Sequence, residues 1–68
     1  MKLFAERLRE LRKEKGLSMR KMANRYGLTD SAYCRYEKGT AQPRLEVIVD
    51  LAKFYNVSVG YLLGTEDI

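Results

Sequence analysis

The 68-residue sequence predicts an all-α fold of five short helices. Three observations carry that prediction. Apolar residues recur at helical spacings of three and four, and capping residues and glycines punctuate the chain at short intervals. Nowhere does apolar and polar alternation run long enough to propose a strand.

The first helix is expected from Lys2 to Lys15, with Phe4, Leu8 and Leu11 forming an apolar stripe between charges. Lys13 and Lys15 suit the negative end of its dipole, and Gly16 is a natural C-cap. Ser18 is the N-cap of the second helix, its hydroxyl taking an orphan amide of the first turn, and Leu17 can staple onto Met22. That helix runs from Met19 to Tyr26 and buries Met22, Ala23 and part of Tyr26. Gly27 stands where the chain must reverse through positive φ. The same grammar then repeats: Thr29 is an N-cap, Leu28 its preceding apolar residue and Tyr33 the fourth residue inside a third helix, Asp30 to Glu37. Ala23 is small enough to let this helix cross closely over the second. A polar loop, Lys38 to Pro43, leads to a fourth helix from Leu45 to Tyr55, which presents Leu45, Ile48, Leu51, Ala52 and Tyr55 on one side. Asn56 ends it. Ser58 caps a last short helix, with Val57 stapling onto Leu62 and Gly64 as the stop.

The length suits one small domain, residues 1–68, with no second ligand-sensing or catalytic module. A domain of this size buries only about 60% of its unfolded surface, so it needs an efficient core, and 46% hydrophobic residues supply one. The single cysteine, Cys34, cannot form an internal disulfide. The N-terminus alternates charged with apolar residues and carries neither a secretory signal nor a membrane span, so the chain is expected to be cytoplasmic.

Net charge is +4 and unevenly placed. From Arg12 to Arg44 nine basic residues face three acidic ones, whereas from Leu45 onward Lys53 alone faces four acidic residues. The basic excess therefore coincides with the second and third helices. A polyanion is the expected partner. Short helix, glycine turn, short helix is the helix-turn-helix plan, whose second helix can enter a DNA major groove.

The Gly16-Leu17-Ser18 entry, the Arg35-Tyr36-Glu37-Lys38-Gly39 exit and the ending from Asn56 to Gly64 stand in an order and spacing that resembles the lambda-repressor/Cro-type, or XRE, helix-turn-helix family. The resemblance covers nearly the whole chain. It implies a five-helix lambda-repressor-like fold in which helices two and three form the helix-turn-helix. It also implies that Asp30, Ser31, Cys34 and Arg35 face base edges. Arg35 can bond guanine O6 and N7 in bidentate fashion, worth about 1 to 3 kcal/mol of discrimination. Ser31 can bond a base or a phosphate, and Cys34 can touch a thymine methyl. Asp30 either serves the positive end of the helix dipole or accepts from cytosine N4. A redox role for Cys34 has no second cysteine to resolve it. The resemblance further implies an ion pair between Arg12 and Glu37. Two family features are missing: Met19 replaces a glutamine that donates to phosphate, and Tyr33 replaces a β-branched aliphatic. The phenol of Tyr33 is expected either to widen the helix spacing or to turn outward toward a phosphate.

Two local rules are broken. Arg20 and Lys21 occupy the first turn of the second helix, opposing its dipole by roughly 0.3 to 1 kcal/mol each. Arg44 sits at the N-cap of the fourth helix, where Ser, Thr, Asn or Asp is preferred by roughly 1 kcal/mol. Stability alone does not select such residues. The expected phosphate contacts are Ser18, Arg20, Lys21, Tyr33, Lys38, Thr40 and Arg44.

With no histidine, no cysteine cluster, no phosphate-binding glycine loop and no nucleophile beside a base, neither an enzyme nor a metal site is expected, and no cofactor or small-molecule ligand is implied. The expected function is sequence-specific binding of double-stranded DNA by a transcriptional regulator, with promoter occlusion by a repressor the simplest mechanism. Activation through contact with polymerase stays open. A near-palindromic operator and a homodimer through the helix 4 to helix 5 region, where Tyr55, Val59, Tyr61 and Leu62 cluster, complete the expectation. The rival is an antirepressor or antitoxin-like module that keeps the fold and binds another protein.

Overall fold

The computed structural model describes residues 2–67. Among these there are five helices and no strand: α1 (Lys2–Glu14), α2 (Met19–Arg25), α3 (Asp30–Lys38), α4 (Leu45–Phe54) and α5 (Val59–Leu63). Three of the starts are capped as the local chemistry requires. Ser18 Oγ accepts from the Lys21 amide at 3.1 Å, Thr29 Oγ1 from Ala32 at 3.1 Å and Ser58 Oγ from Tyr61 at 2.9 Å. Arg44 provides no side-chain bond to the start of α4. That helix begins without a side-chain cap, its Val47 amide turning instead to the Arg44 carbonyl at 3.0 Å.

All five helices close in one way. The amides of Leu17, Leu28, Thr40, Val57 and Thr65 reach back five residues, to the carbonyls of Arg12, Ala23, Arg35, Ala52 and Gly60. Each bond is preceded by a residue at positive φ, which is glycine in four cases and Asn56 (φ 56°) in the fifth. This is the Schellman closure, which satisfies the last carbonyls of a helix. Leu17, Leu28 and Val57 each finish one helix and enter the next cap, and all three pack on the core. One apolar residue thus fixes two helix ends, and the connections stay short.

The core is built from Phe4 and Leu8 of α1, Met22 and Ala23 of α2, Tyr33 of α3, Ile48, Leu51 and Ala52 of α4, Tyr55, and Leu62 of α5. Removing a buried leucine such as Leu8 or Leu51 to alanine would cost about 2 to 5 kcal/mol. Three expectations need correction. Leu45 is 67% exposed, because the first turn of α4 projects past the edge of the core. Pro43, expected in a loop too polar for the core, is buried. Tyr55 and Leu62, expected on a partner-binding surface, are interior.

Polar side chains fasten the helices from outside. Arg7 donates to the carbonyls of Tyr61 and Glu66 and lies 4.1 Å from the centroid of the Tyr61 ring, tying α1 to α5 and the residues after it. Asp50 of α4 accepts from Tyr26 Oη at 2.7 Å and from Arg25 Nε at 3.0 Å. These two donors hold its carboxyl below the usual carboxylate range. Arg25 and Lys15 both bring their cations over the Phe54 ring, 4.2 and 4.8 Å from its centroid.

Candidate nucleic-acid interface

Helix α3 has a dry face and a wet face, and the residues assigned to base readout divide accordingly. Asp30, Ser31 and Arg35 are exposed, whereas Cys34 is half-buried. Arg35 has no acidic partner within 4 Å among the described residues, so its guanidinium is free to reach outward. Its backbone carbonyl accepts from the Thr40 amide at 3.1 Å and, weakly, from the Thr40 hydroxyl at 3.5 Å, so Thr40 first of all closes the end of α3.

Tyr33 is the clearest correction. Of the two placements expected for its phenol, packing that widens the helix spacing or an outward turn toward a phosphate, the outward one does not occur: Tyr33 is fully buried and its hydroxyl donates to Glu37 Oε2 at 2.5 Å. The reason is periodic: Tyr33 and Glu37 are four apart and share the inner face of α3, where Arg12 of α1 meets them. Arg12 grips Glu37 with two parallel bonds, Nε to Oε2 at 2.7 Å and Nη2 to Oε1 at 2.9 Å, and gives a third to the Leu17 carbonyl at 2.8 Å. The two side chains are only 11% and 5% exposed. Paired in this way, Arg12 has its pKa raised, chiefly by the hydrogen bonds it donates to Glu37, with burial opposing. The knot sets the roll of α3 against α1. Breaking such a pair from one side costs about 3 to 5 kcal/mol, because the other charge is left buried and alone.

The remaining cations fall into separate places. Arg20 Nε and Nη2 each lie 3.2 Å from Asp30 Oδ2, so the first turns of α2 and α3 are joined across the tight turn. Both partners are largely exposed, and the pair is worth little to stability. Its consequence is electrostatic, since Arg20 neutralises the one carboxylate at the tip of α3. Lys38 lines a cleft with Cys34 and Met19. Arg44 lines another depression with Tyr26, Leu28 and Tyr36. Lys21 lines a third with Leu17, Arg25 and Phe54. On α2, Met19 and Lys21 are two residues and so about 200° apart, which turns Lys21 away from the Lys38 cleft. Ser18 is exposed, with its oxygen engaged as a cap acceptor and no acceptor for its proton among the described residues.

Arg9 and Lys13 of α1 share the Lys38 cleft, and neither appeared among the sequence-derived candidates. The signal was present in their spacing of four, which places both on the flank of α1 that carries Arg12. No group of three or more histidine, cysteine or acidic residues able to hold a metal ion occurs among the described residues. No helix there is long and apolar enough to cross a membrane.

An exposed helix, mounted on a glycine turn and flanked by unpaired cations, defines a helix-turn-helix domain. The chain belongs to the lambda-repressor/Cro-type, XRE, helix-turn-helix family: the family model described as Helix-turn-helix matches residues 8–62, from α1 into α5. Among curated proteins it is 42% identical over 65 residues to an uncharacterized HTH-type transcriptional regulator, YobD, of Bacillus subtilis, covering 96% of this chain and 58% of that protein. It is 38% identical over 65 residues to the cryptic phage CTXphi transcriptional repressor RstR of Vibrio cholerae, covering 96% and 59%. It is also 29% identical over 65 residues to the HTH-type transcriptional activator BcrR of Enterococcus faecalis, covering 96% and 32%. The chain therefore spans less than two thirds of the length of these relatives.

Proposed function

We propose that this chain binds double-stranded DNA in a sequence-specific manner, with α3 in the major groove, and that it regulates transcription. The observation that carries this reading is the division of α3 itself. Tyr33 and Glu37 lock its inner face to α1, while Ser31 and the unpaired Arg35 stand on its outer face. A guanidinium held on a rigid helix and directed outward suits bidentate recognition of guanine. Ser31 contributes a second polar contact and Cys34 a small apolar one. Asp30 is drawn toward Arg20, so this pair acts at the tip of α3 as a unit. Phosphate contacts come from Ser18, Arg20, Lys38, Thr40 and Arg44, with Lys21 set off to one side.

Repression by covering a promoter is the simplest mechanism and agrees with the description of RstR as a repressor. The action is binding, without catalysis, in the cytoplasm. Two copies, joined through the α4 to α5 region, place their α3 helices one DNA turn apart, roughly 34 Å, on a near-palindromic site. With Tyr55 and Leu62 interior, that contact falls to Val59, Tyr61 and Leu63, which are partly exposed.

Selection of bound sequences from random duplexes, followed by titration at several salt concentrations, tests the proposal. A regulator yields a defined motif with two half-sites and steep salt dependence. A module that binds only proteins yields neither. Arg35→Ala is expected to relax one base position of the motif by about 1 to 3 kcal/mol, and an unchanged motif would remove Arg35 from base readout.

A further inference from the structure

Beside α3 the surface opens into a cleft of about 280 Å³ between the C-terminal half of α1, the first residue of α2 and the last turns of α3. Arg12 and Glu37 line its inner end, where their charges cancel in the buried pair. Three cations are left over: Arg9 and Lys13 from α1 and Lys38 from α3. All three are exposed, and none has a carboxylate within 4 Å among the described residues. Met19 and Cys34 complete the lining with a thioether and a thiol, neither of which offsets positive charge. Like charges gathered from two helices repel one another and do nothing for the fold. An anion would complete the arrangement.

The geometry points to a seat for one stretch of DNA backbone phosphate, held by Arg9, Lys13 and Lys38, which makes α1 a third DNA-contacting helix. This inference rests on the reading of α3 as the groove helix. A recognition helix meets base edges with its N-terminal residues, so Lys38, the last residue of α3, stands at the opposite end of the helix, on the side toward the DNA backbone. The cleft opens beside that residue, and Arg9 can fork two phosphate oxygens while the lysines act as point charges.

The test is titration of the 68-residue chain, with Arg9→Gln and Lys13→Gln combined, against the selected sequence and a random duplex over a range of salt concentrations. Expected is a loss of affinity of roughly 8-fold for each contact at 0.1 M salt, equal for both duplexes. The slope of log K against log salt flattens by about 2, and the selected motif does not change. Arg9→Lys combined with Lys13→Arg keeps the slope, and Lys53→Gln on α4, outside the cleft, leaves affinity and slope as they were. If the parent binds steeply and the double glutamine variant matches it, the seat is wrong and the role of α3 stands. If the parent shows no salt-dependent binding, both readings fall. Should the double variant melt at low temperature, each single variant is read for its own slope change of about 1, and no change in either overturns the seat.

Discussion

Tyr33 and Tyr55 bring the same phenol into one interior and meet different surroundings. The Tyr33 hydroxyl donates to Glu37, whereas the Tyr55 hydroxyl is buried with no hydrogen-bond partner among the described residues. A hydrogen bond to a charged group is worth about 1.5 to 3 kcal/mol, while an unsatisfied buried hydroxyl carries a desolvation cost of about 1 to 3 kcal/mol. Opposite results are therefore expected from the same substitution. Tyr33→Phe lowers stability by about 1.5 to 3 kcal/mol, and Tyr55→Phe leaves it unchanged or raises it, as urea midpoints at pH 7 would show. Equal losses in the two variants would contradict this account. The inward turn of Tyr33 was partly legible in the sequence, because its place after Thr29 is the staple position and Glu37 follows one turn later. What one sequence could not show is that Arg12 arrives from α1 to complete the set. Without that third member, an outward phenol is equally reasonable.

At the scale of the element, the helix ends were the most readable part of the chain. Ser18, Thr29 and Ser58 each satisfy an amide three residues on, a chemistry confined to four consecutive residues. Burial was less readable, and Leu45 shows why. Its spacing from Ile48 and Ala52 fits the apolar stripe of α4, yet how far the core reaches along a helix depends on what other helices bring to it. Arg44, next to Leu45, leaves the start of α4 uncapped. Arg44→Ser is expected to stabilise the domain by about 1 kcal/mol and raise Tm by about 4 to 8 °C, while weakening binding to all DNA sequences alike. Calorimetry and salt titration of one variant check both halves. A gain in Tm with undiminished affinity would make Arg44 a poor cap and nothing more.

For the molecule as a whole, the concentration of cations between Arg12 and Arg44 was plain from the sequence, but their distribution over separate depressions was not. Charge counting reports which half of a chain is basic; it cannot report that Lys21 and Lys38 leave their helices in different directions. The interior has its own response to pH. Tyr26, Tyr33 and Tyr55 all have raised pKa values, first because burial disfavours the phenolate and then because Asp50 or Glu37 stands nearby, with Tyr55 pushed up to about 12. Unfolded tyrosines titrate near 10. The neutral phenols thus contribute stability that is complete below pH 10 and drains away as pH rises toward 12. Chemical denaturation between pH 8 and 12 should show a flat region followed by a steep fall. A midpoint that stays constant through pH 12 would mean that these rings ionise as freely when folded as when unfolded.

The knot of Arg12, Glu37 and Tyr33 leaves α3 little freedom to tilt or roll without exposing a lone charge to a dry interior. A reading head so mounted does not mould itself to its track. The duplex has to supply the compliance, by bending or by narrowing where its base steps yield easily, and operators would then be sorted partly by the mechanical softness of base pairs that no side chain touches.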